Sequence, residues 1–142
     1  DKEAVYRAFS LTKADKLKDK KFAILSGGEK QKIVIARAVA QTTPWMLLDE
    51  PIASLDIKNQ IEIMQTLSEL NRQEGVSVLM VLHDINLAGI YCDRLIMLKD
   101  GQVIAAGNTN ECLCEENLKK LYDISFFHMD TKKGQRYYYA EI

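Results

Sequence analysis

Two acidic residues, Asp49 and Glu50, directly follow the apolar run Met46-Leu47-Leu48. A short apolar run before polar residues is typical of a buried parallel strand, and ligands of open α/β sheets gather at the carboxyl ends of such strands. Asp49 can hold Mg²⁺ directly or through water, because Mg²⁺ keeps much of its hydration shell and uses few carboxylates. Glu50 can orient or deprotonate a water molecule as a general base. The alternative is a strand end with exposed acids and no chemistry.

A second group of residues is suited to binding a phosphate. Ser26, Gly27 and Gly28 precede a helix that the apolar pattern predicts over 29–41, with most of its surface buried. Two glycines let backbone N–H groups approach an oxyanion closely, and the N-terminus of a helix carries partial positive charge. The hydroxyl of Ser26 can add a further donor. The alternative for these three residues alone is a glycine turn in which Ser26 caps the helix.

Two more polar positions follow predicted elements. Asp56 precedes apolar residues spaced by three and four, which predict an amphipathic helix over 57–74, and Asp56 is a candidate cap for it. His83 follows a second apolar strand predicted over 76–82. A histidine there can hydrogen-bond a bound phosphate and hold Glu50 in place, although a histidine at a strand end is often structural. His128 has no comparable context and is interpreted as structural.

The elements that must position these residues alternate between strands and helices up to about residue 98, which favours an α/β layered core. Gly75 is expected to end the helix over 57–74. The pattern further predicts two short helices over 3–10 and 12–18, a helix over 85–91 capped by Asp84 or His83, a hairpin of strands 95–98 and 103–106 around Asp100-Gly101, a helix over 115–122, and a final hairpin of strands 126–129 and 136–140 around Lys132-Lys133-Gly134.

Composition limits the classes of function. The 142 residues suggest one domain, and 19 basic residues against 20 acidic ones give no basic excess for nucleic acid. No apolar run approaches the roughly 20 residues that span a bilayer. Three cysteines form no disulfide framework, which suits a reducing compartment. Cys112 and Cys114 lack the second pair that a zinc site needs. Since Asp1 is not an initiator methionine, we expect a fragment or a processed product.

Taken in this order, the motifs resemble the C-terminal half of the ATP-binding subunit of an ABC transporter. The resemblance covers about residues 3–142 and rests on Leu25-Ser26-Gly27-Gly28-Glu29-Lys30-Gln31, Trp45-Met46-Leu47-Leu48-Asp49-Glu50-Pro51, Ser54-Leu55-Asp56 and His83. The segment His83-Asp84-Ile85-Asn86-Leu87-Ala88 is similar to subunits that energise bacterial import of iron–siderophore complexes, haem or vitamin B12.

The resemblance implies a fold class and a division of the chain. The expected fold is α/β, the C-terminal portion of an ABC-type nucleotide-binding domain, with a parallel-strand core flanked by helices. The expected division is a part of the helical subdomain over 1–41, which contains the signature loop (residues 26–29), an α/β core over 42–108, and a C-terminal helix and hairpin over 109–142.

The resemblance also implies the roles of the candidate residues, with ATP and Mg²⁺ as cofactors. Two such subunits pair head to tail, and Ser26, Gly27, Gly28 and Glu29 would bind the nucleotide held by the partner. Asp49 would hold Mg²⁺, and Glu50 and His83 would act on this subunit's own nucleotide. Asp56, with Ser54 and Leu55, would form the loop that crosses between the subunits and aligns the water.

The sequence departs from the family in one main respect: it contains no phosphate loop of the form G-x-x-x-x-G-K-(S or T). Most contacts to the β- and γ-phosphates come from that loop, so we expect this chain alone to be inactive. Strands that should cover residues 46–48 and 76–82 are also absent, which predicts exposed apolar surface and self-association. Ile52 stands where the family usually has threonine.

The implied function is that of an ATP-binding and ATP-hydrolysing subunit, here a fragment, which powers import of an iron–siderophore complex or a related metal chelate. The implied partners are a second ATPase subunit in a homodimer, membrane permease subunits and, indirectly, a substrate-binding protein, with no nucleic acid. The implied place is the cytoplasmic face of the cell membrane. Two alternatives stay open: a truncated, non-hydrolysing module that lends its signature loop to a partner, and the C-terminal lobe of a DNA-repair or chromosome ABC ATPase. The absence of a heptad coiled coil before Leu25 argues against the second.

Overall fold

A computed structural model of the chain describes residues 1–132 and 134–141, and they form two compact units, Asp1–His83 and Asp84–Ile142. The first unit contains α1 (Lys2–Leu11), α2 (Gly27–Val39), β1 (Trp45–Leu48), α3 (Ile57–Glu74) and β2 (Ser77–Met80). The second contains α4 (Ile85–Tyr91), β3 (Arg94–Lys99), β4 (Gln102–Asn108), α5 (Thr109–Cys112), α6 (Glu115–Tyr122), β5 (Phe126–Asp130) and β6 (Arg136–Ala140). The division at residues 41 and 108 stays a prediction.

The predicted helix over 12–18 is wrong. Only a single 3₁₀ turn, Asp15–Leu17, forms there. The Thr12 hydroxyl donates to the carbonyl of Ala8 at 2.9 Å, which satisfies an acceptor at the end of α1. Lys13 then adopts φ 55°, in the left-handed region that a helix cannot continue through. The chain therefore turns at Lys13, and the apolar residues Ala14 and Leu17 pack with Leu25 in a small buried cluster.

Helix α2 begins at Gly27, two residues before the predicted start at Glu29, because Ser26 caps it. The prediction that this helix is mostly buried is also wrong. Of its apolar residues only Ile35 and Ala36 are buried, and the others are half-buried. Helix α2 therefore lies at the surface of the first unit and presents its N-terminus to solvent at Gly27.

Helix α3 has the predicted bounds, Ile57–Glu74, and carries the core of the first unit. The side chains of Ile63, Met64, Leu67 and Leu70 are at most 2% exposed. Gly75 ends the helix in the left-handed conformation, with φ 67°. These bounds were predictable because apolar period, cap and terminal glycine are all local signals.

Strands β1 and β2 pair in parallel, with Leu47 opposite Leu79, and β2 is shorter than the predicted strand over 76–82. Met46 is buried, whereas Leu47 on the opposite face is 72% exposed. Leu79 and Val81 are also exposed. The expectation that apolar surface is exposed at these strands is thus confirmed. The strands are buried on one face only, so the expectation of buried parallel strands holds for that face alone.

The second unit is built from two antiparallel hairpins and short helices. Strands β3 and β4 join through Asp100 and Gly101, both with positive φ, as a two-residue hairpin turn requires. Asp84 caps α4, so the alternative cap His83 is not used. Helix α6 has its predicted bounds, and α5 was not predicted.

Strands β5 and β6 pair as predicted, with His128 opposite Tyr138. Lys133, in the predicted turn between them, lies outside the described residues. The core of this unit brings together residues of four elements and a loop, and these are Met97, Cys112, Leu113, Leu118 and Tyr138.

Candidate functional site

Glu50 and His83 meet at one edge of the parallel sheet. Strand β1 ends at Leu48 and β2 ends at Met80, and neighbouring parallel strands have their carboxyl ends at the same edge. The N–H of Val81 donates to the carbonyl of Leu48 at 3.0 Å, which extends the pairing past the last strand residue. His83 Nε2 then lies 2.7 Å from Glu50 Oε1. The structure thus brings together the two residues that the sequence assigns to catalysis.

The backbone of Glu50 adopts φ 44°, which few residues with a side chain adopt. Such a conformation costs about 1–3 kcal/mol and persists only where the surrounding structure imposes it. It occurs two residues after the end of β1, where the Glu50 carboxylate meets His83. Both side chains are open to solvent, at 44% and 73% exposure, so a ligand can reach the pair. The strained backbone at an accessible carboxylate supports the hypothesis that Glu50 is a functional residue.

Asp49 lies beside this pair, between the end of β1 and Glu50, and is exposed. A single accessible carboxylate next to a carboxylate–histidine pair fits Mg²⁺, which needs one or two protein oxygens and completes its shell with water and phosphate. The chemistry of the donors at this edge is therefore compatible with a metal-bound phosphate ligand.

The signature loop is organised by a capping box. Ser26 Oγ accepts from the N–H of Glu29 at 3.3 Å, and Glu29 Oε2 accepts from the N–H of Ser26 at 2.9 Å. Lys20 Nζ lies 3.0 Å from the other carboxylate oxygen of Glu29. The Ser26 N–H, followed by Lys20, holds the pKa of the Glu29 carboxyl below its usual range. The capping alternative for Ser26 is confirmed, and it leaves the Ser26 hydroxyl hydrogen free to donate elsewhere.

Fewer residues of the signature loop are open to solvent than the sequence predicted. Ser26 and Gly27 are exposed, but Gly28 is buried. The first N–H groups of any helix have no intrahelical acceptor and carry partial positive charge. The Ser26 hydroxyl and the Gly27 N–H are therefore solvent-accessible hydrogen-bond donors that can bind an anion. Contacts of Gly28 and Glu29 with a nucleotide stay a prediction.

Asp56 caps α3, as one reading of the sequence predicted. Its Oδ1 accepts from the N–H of Asn59 at 2.9 Å, and its Oδ2 accepts from the Asn59 side-chain Nδ2 at 2.9 Å. These two donors, the backbone one first, hold the pKa of the Asp56 carboxyl below its usual range. The preceding turn is held by Gln60, whose Nε2 donates to the carbonyl of Ile52 at 3.2 Å. A role of Asp56 towards nucleotide is not tested by these contacts.

Sequence reasoning missed Asn59, which contacts both Gly28 of the signature loop and Asp56. A Cβ atom built on Gly28 would lie 2.3 Å from Asn59 Oδ1, so the Asn59 amide covers Gly28. One weak signal was available: Asn59 stands three residues after the cap Asp56, where a partner of the capping residue is common. Its contact with Gly28 is tertiary and leaves no mark in the sequence.

Two polar groups of the second unit have structural roles. Asn86, within the segment from His83 to Ala88, accepts from the N–H of Tyr138 at 2.8 Å and donates to its carbonyl at 3.0 Å. His128 Nδ1 lies 2.8 Å from Glu115 Oε1, and its ring packs near that of Tyr138. In the part of the chain that the structure describes, no helix is both long and apolar enough to cross a bilayer.

Comparison with known proteins identifies similar sequences. Residues 1–53 match a family model described as ABC transporter. The chain is 41% identical over 130 residues to the ferric enterobactin transport ATP-binding protein FepC of Escherichia coli (strain K12), covering 92% of this chain and 48% of that protein. It is 42% identical over 124 residues to the petrobactin import ATP-binding protein FpuC of Bacillus anthracis, covering 87% and 46%. The chain thus spans about half the length of the curated relatives it matches.

Solved structures give the same match at the level of the fold. An inward-facing metal-chelate type ABC transporter aligns with a TM-score of 0.91 at 26% identity, over 99% of this chain and 57% of the other. A dimeric, post-hydrolysis state of the ATP-binding cassette MJ0796, bound to ADP and Pi, aligns with a TM-score of 0.60 at 40% identity, over 73% and 46%. The α/β fold class predicted from the sequence is confirmed.

Proposed function

The chain belongs to the ABC transporter ATP-binding family, and on that premise we propose that it forms the signature-bearing part of a subunit that hydrolyses ATP to power import. The observation that carries this proposal is the contact of 2.7 Å between Glu50 Oε1 and His83 Nε2 at the carboxyl edge of the parallel sheet. It joins a candidate general base to a group that can bind phosphate. The fit of the sequence to importer subunits supports the same conclusion.

In the proposed reaction, Glu50 accepts a proton from the water that attacks the γ-phosphate of ATP, as a general base. His83 holds the Glu50 carboxylate in place before nucleotide binds. The same imidazole can turn to a γ-phosphate oxygen, which leaves Glu50 free to face the water. His83 would thereby sense whether the γ-phosphate is present.

Asp49 is the proposed magnesium ligand of this site. When bound, Mg²⁺ neutralises charge that develops on the β- and γ-phosphates. Asp49 can approach it because its carboxylate is exposed and adjoins Glu50 in the chain. The role of Asp49 is separate from that of Glu50, so the substitutions Asp49→Asn and Glu50→Gln should affect metal-dependent binding and turnover respectively.

The signature loop is proposed to bind the nucleotide of a second subunit. Ser26 and Gly27 are exposed at the N-terminus of α2, where backbone N–H groups and partial positive charge suit a phosphate. Gly28, Glu29 and Asp56 would complete this surface. The similar cassette MJ0796 has been solved as a dimer with ADP and Pi, which supports a head-to-tail homodimer here.

The proposed cargo is an iron–siderophore complex or a related metal chelate. The similar proteins are named for transport of ferric enterobactin and for import of petrobactin and hemin. We propose that the subunit docks on membrane permease subunits at the cytoplasmic face, with a substrate-binding protein as an indirect partner. The same names favour import over the DNA-repair alternative. No observation favours the non-hydrolysing module, and the experiment below separates it.

ATP hydrolysis with Mg²⁺, measured on the complete subunit that contains these residues, tests the proposal. Glu50→Gln should lower kcat by about 100-fold or more, because general-base catalysis contributes about 10²–10⁴-fold. Binding of ATP should persist. Glu3→Gln, an exposed change on α1, is the matched control and should leave kcat unchanged. Hydrolysis that survives Glu50→Gln would contradict the assignment, and a native subunit without hydrolysis would favour the non-hydrolysing module.

The 142-residue chain alone permits a second test, equilibrium binding of a fluorescent ATP analogue with Mg²⁺. We expect no binding up to millimolar nucleotide, because the sequence contains no phosphate loop to hold the β- and γ-phosphates. Micromolar binding that is lost on Asp49→Asn would show that residues of this chain replace that loop.

A further inference from the structure

Asn59 connects the signature loop (residues 26–29) with the loop Ser54-Leu55-Asp56. Its Nδ2 donates to Oδ2 of Asp56 at 2.9 Å, in addition to the backbone bond that caps α3. The other end of the same amide lies on Gly28. A Cβ atom at Gly28 would stand 2.3 Å from Asn59 Oδ1 and 2.5 Å from Asn59 Cγ. Both distances are far below van der Waals contact, so the amide occupies the space that a side chain at position 28 would need.

We infer that Asn59 is a positioning residue, which fixes the signature loop relative to Asp56. This inference rests on the proposed function, in which both ends of the contact face nucleotide at the subunit interface. Asparagine suits the position because its short amide carries a donor for the carboxylate and an acceptor end flat enough to lie on glycine. Any side chain at position 28 would then require the Asn59 amide to move, whatever contact Gly28 makes with phosphate.

An ion pair also joins the same two helices. Lys32 of α2 and Glu62 of α3 form an ion pair at 2.8 Å, about one turn farther along both helices. A Cβ atom at Gly27 would meet only Leu55 Cδ2, at an ordinary 3.5 Å. The tight contact is therefore confined to position 28, and Gly27→Ala is a matched control for Gly28→Ala.

The geometry predicts that a change at position 28 acts on Asp56. In Gly28→Ala the new methyl group must displace the Asn59 amide. We expect the amide to move by rotating about its two side-chain torsions, which would break the bond from Asn59 Nδ2 to Asp56 Oδ2 and keep the backbone bond. Gly28→Ala and Asn59→Ala should therefore have the same effect on Asp56, and the double variant should show no more than either alone.

The first experiment follows the side-chain carboxyl resonance of Asp56 against pH in the 142-residue chain without nucleotide. Lys58 and Glu62 are the other charged groups that bear on it. The pKa of Asp56 should rise in Asn59→Ala and in Gly28→Ala, should rise no further in the double variant, and should stay unchanged in Gly27→Ala. A pKa that stays low in Gly28→Ala, or effects that add in the double variant, would overturn the inference.

The second experiment measures ATP hydrolysis by the complete subunit. Asn59→Ala should lower kcat by about tenfold and leave KM for ATP within about twofold, because it displaces groups that meet the partner's nucleotide only in the assembled state. Unchanged kcat, with the Asp56 titration altered as expected, would overturn the positioning role. Failure of the proposed function would appear separately, as normal turnover in Glu50→Gln, and would leave the titration result standing.

Discussion

At the scale of single residues, Asp56 has a structural role that can be measured apart from any nucleotide. Its carboxylate accepts from the backbone and the side chain of Asn59, and these bonds hold its pKa below the usual range. A carboxyl with a lowered pKa in the folded state stabilises the fold at pH values above its unfolded pKa. That contribution is lost as pH falls through the folded pKa.

We therefore expect Asp56→Ala to lower the midpoint of thermal unfolding at pH 7. The difference between variant and native chain should shrink as the pH falls below the ordinary aspartate pKa of about 3.9. Unfolding followed by circular dichroism across this range is the measurement. Asp19→Ala removes another exposed carboxylate and should leave the midpoint unchanged at pH 7. A pH-independent difference for Asp56→Ala would contradict the assignment of the cap to the ionised carboxylate.

The sequence predicted some site residues and missed others for a physical reason. Glu50 and His83 could be paired in advance, because each follows an apolar strand and parallel strands end at one edge. The contact of Asn59 with Gly28 could not be predicted, since it joins two helices that are distant in sequence. The left-handed backbone of Glu50 was also unpredictable, because nothing in the identity of a glutamate favours that conformation.

At the scale of elements, helix α3 is the core of the first unit, and its stability should depend on its buried stripe. Leu67 is 2% exposed, so Leu67→Ala should lower the free energy of unfolding by about 2–5 kcal/mol. Gln65→Ala, at an exposed position of the same helix, should change it by less than about 0.5 kcal/mol. Chemical denaturation gives both values. Equal effects at the two positions would show that the packing of α3 is not as described.

The elements also show where local signals are sufficient. Helix α3 was predicted to its ends because an apolar period, a cap and a terminal glycine agree. The predicted start of helix α2 is two residues too late, because two consecutive glycines are typical of a turn. The structure shows that Gly27 and Gly28 belong to the helix, since a capping box joins Ser26 and Glu29. The helix expected after Thr12 failed because the left-handed Lys13 interrupts an otherwise suitable apolar spacing.

At the scale of the whole molecule, the parallel sheet has one uncovered face. Leu47 and Leu79 lie opposite each other on it, and Leu47 is 72% exposed. Parallel sheets are ordinarily covered on both faces. The relatives are about twice the length of this chain. When these 142 residues are studied alone, a second copy of the chain is the protein surface that can cover the exposed face of the sheet.

We therefore expect the chain to self-associate. The double variant Leu47→Lys/Leu79→Lys should weaken that association at least about tenfold, or by about 1.4 kcal/mol. The reason is that two charges would have to be buried where two apolar side chains now meet. Sedimentation measures the constant, and binding of an apolar dye should fall in parallel. Leu98→Lys changes a leucine of the second unit that is 62% exposed and should have little effect. A compact monomer that binds no dye would contradict the prediction, whereas a larger effect of Leu98→Lys would move the interface to β3 and β4.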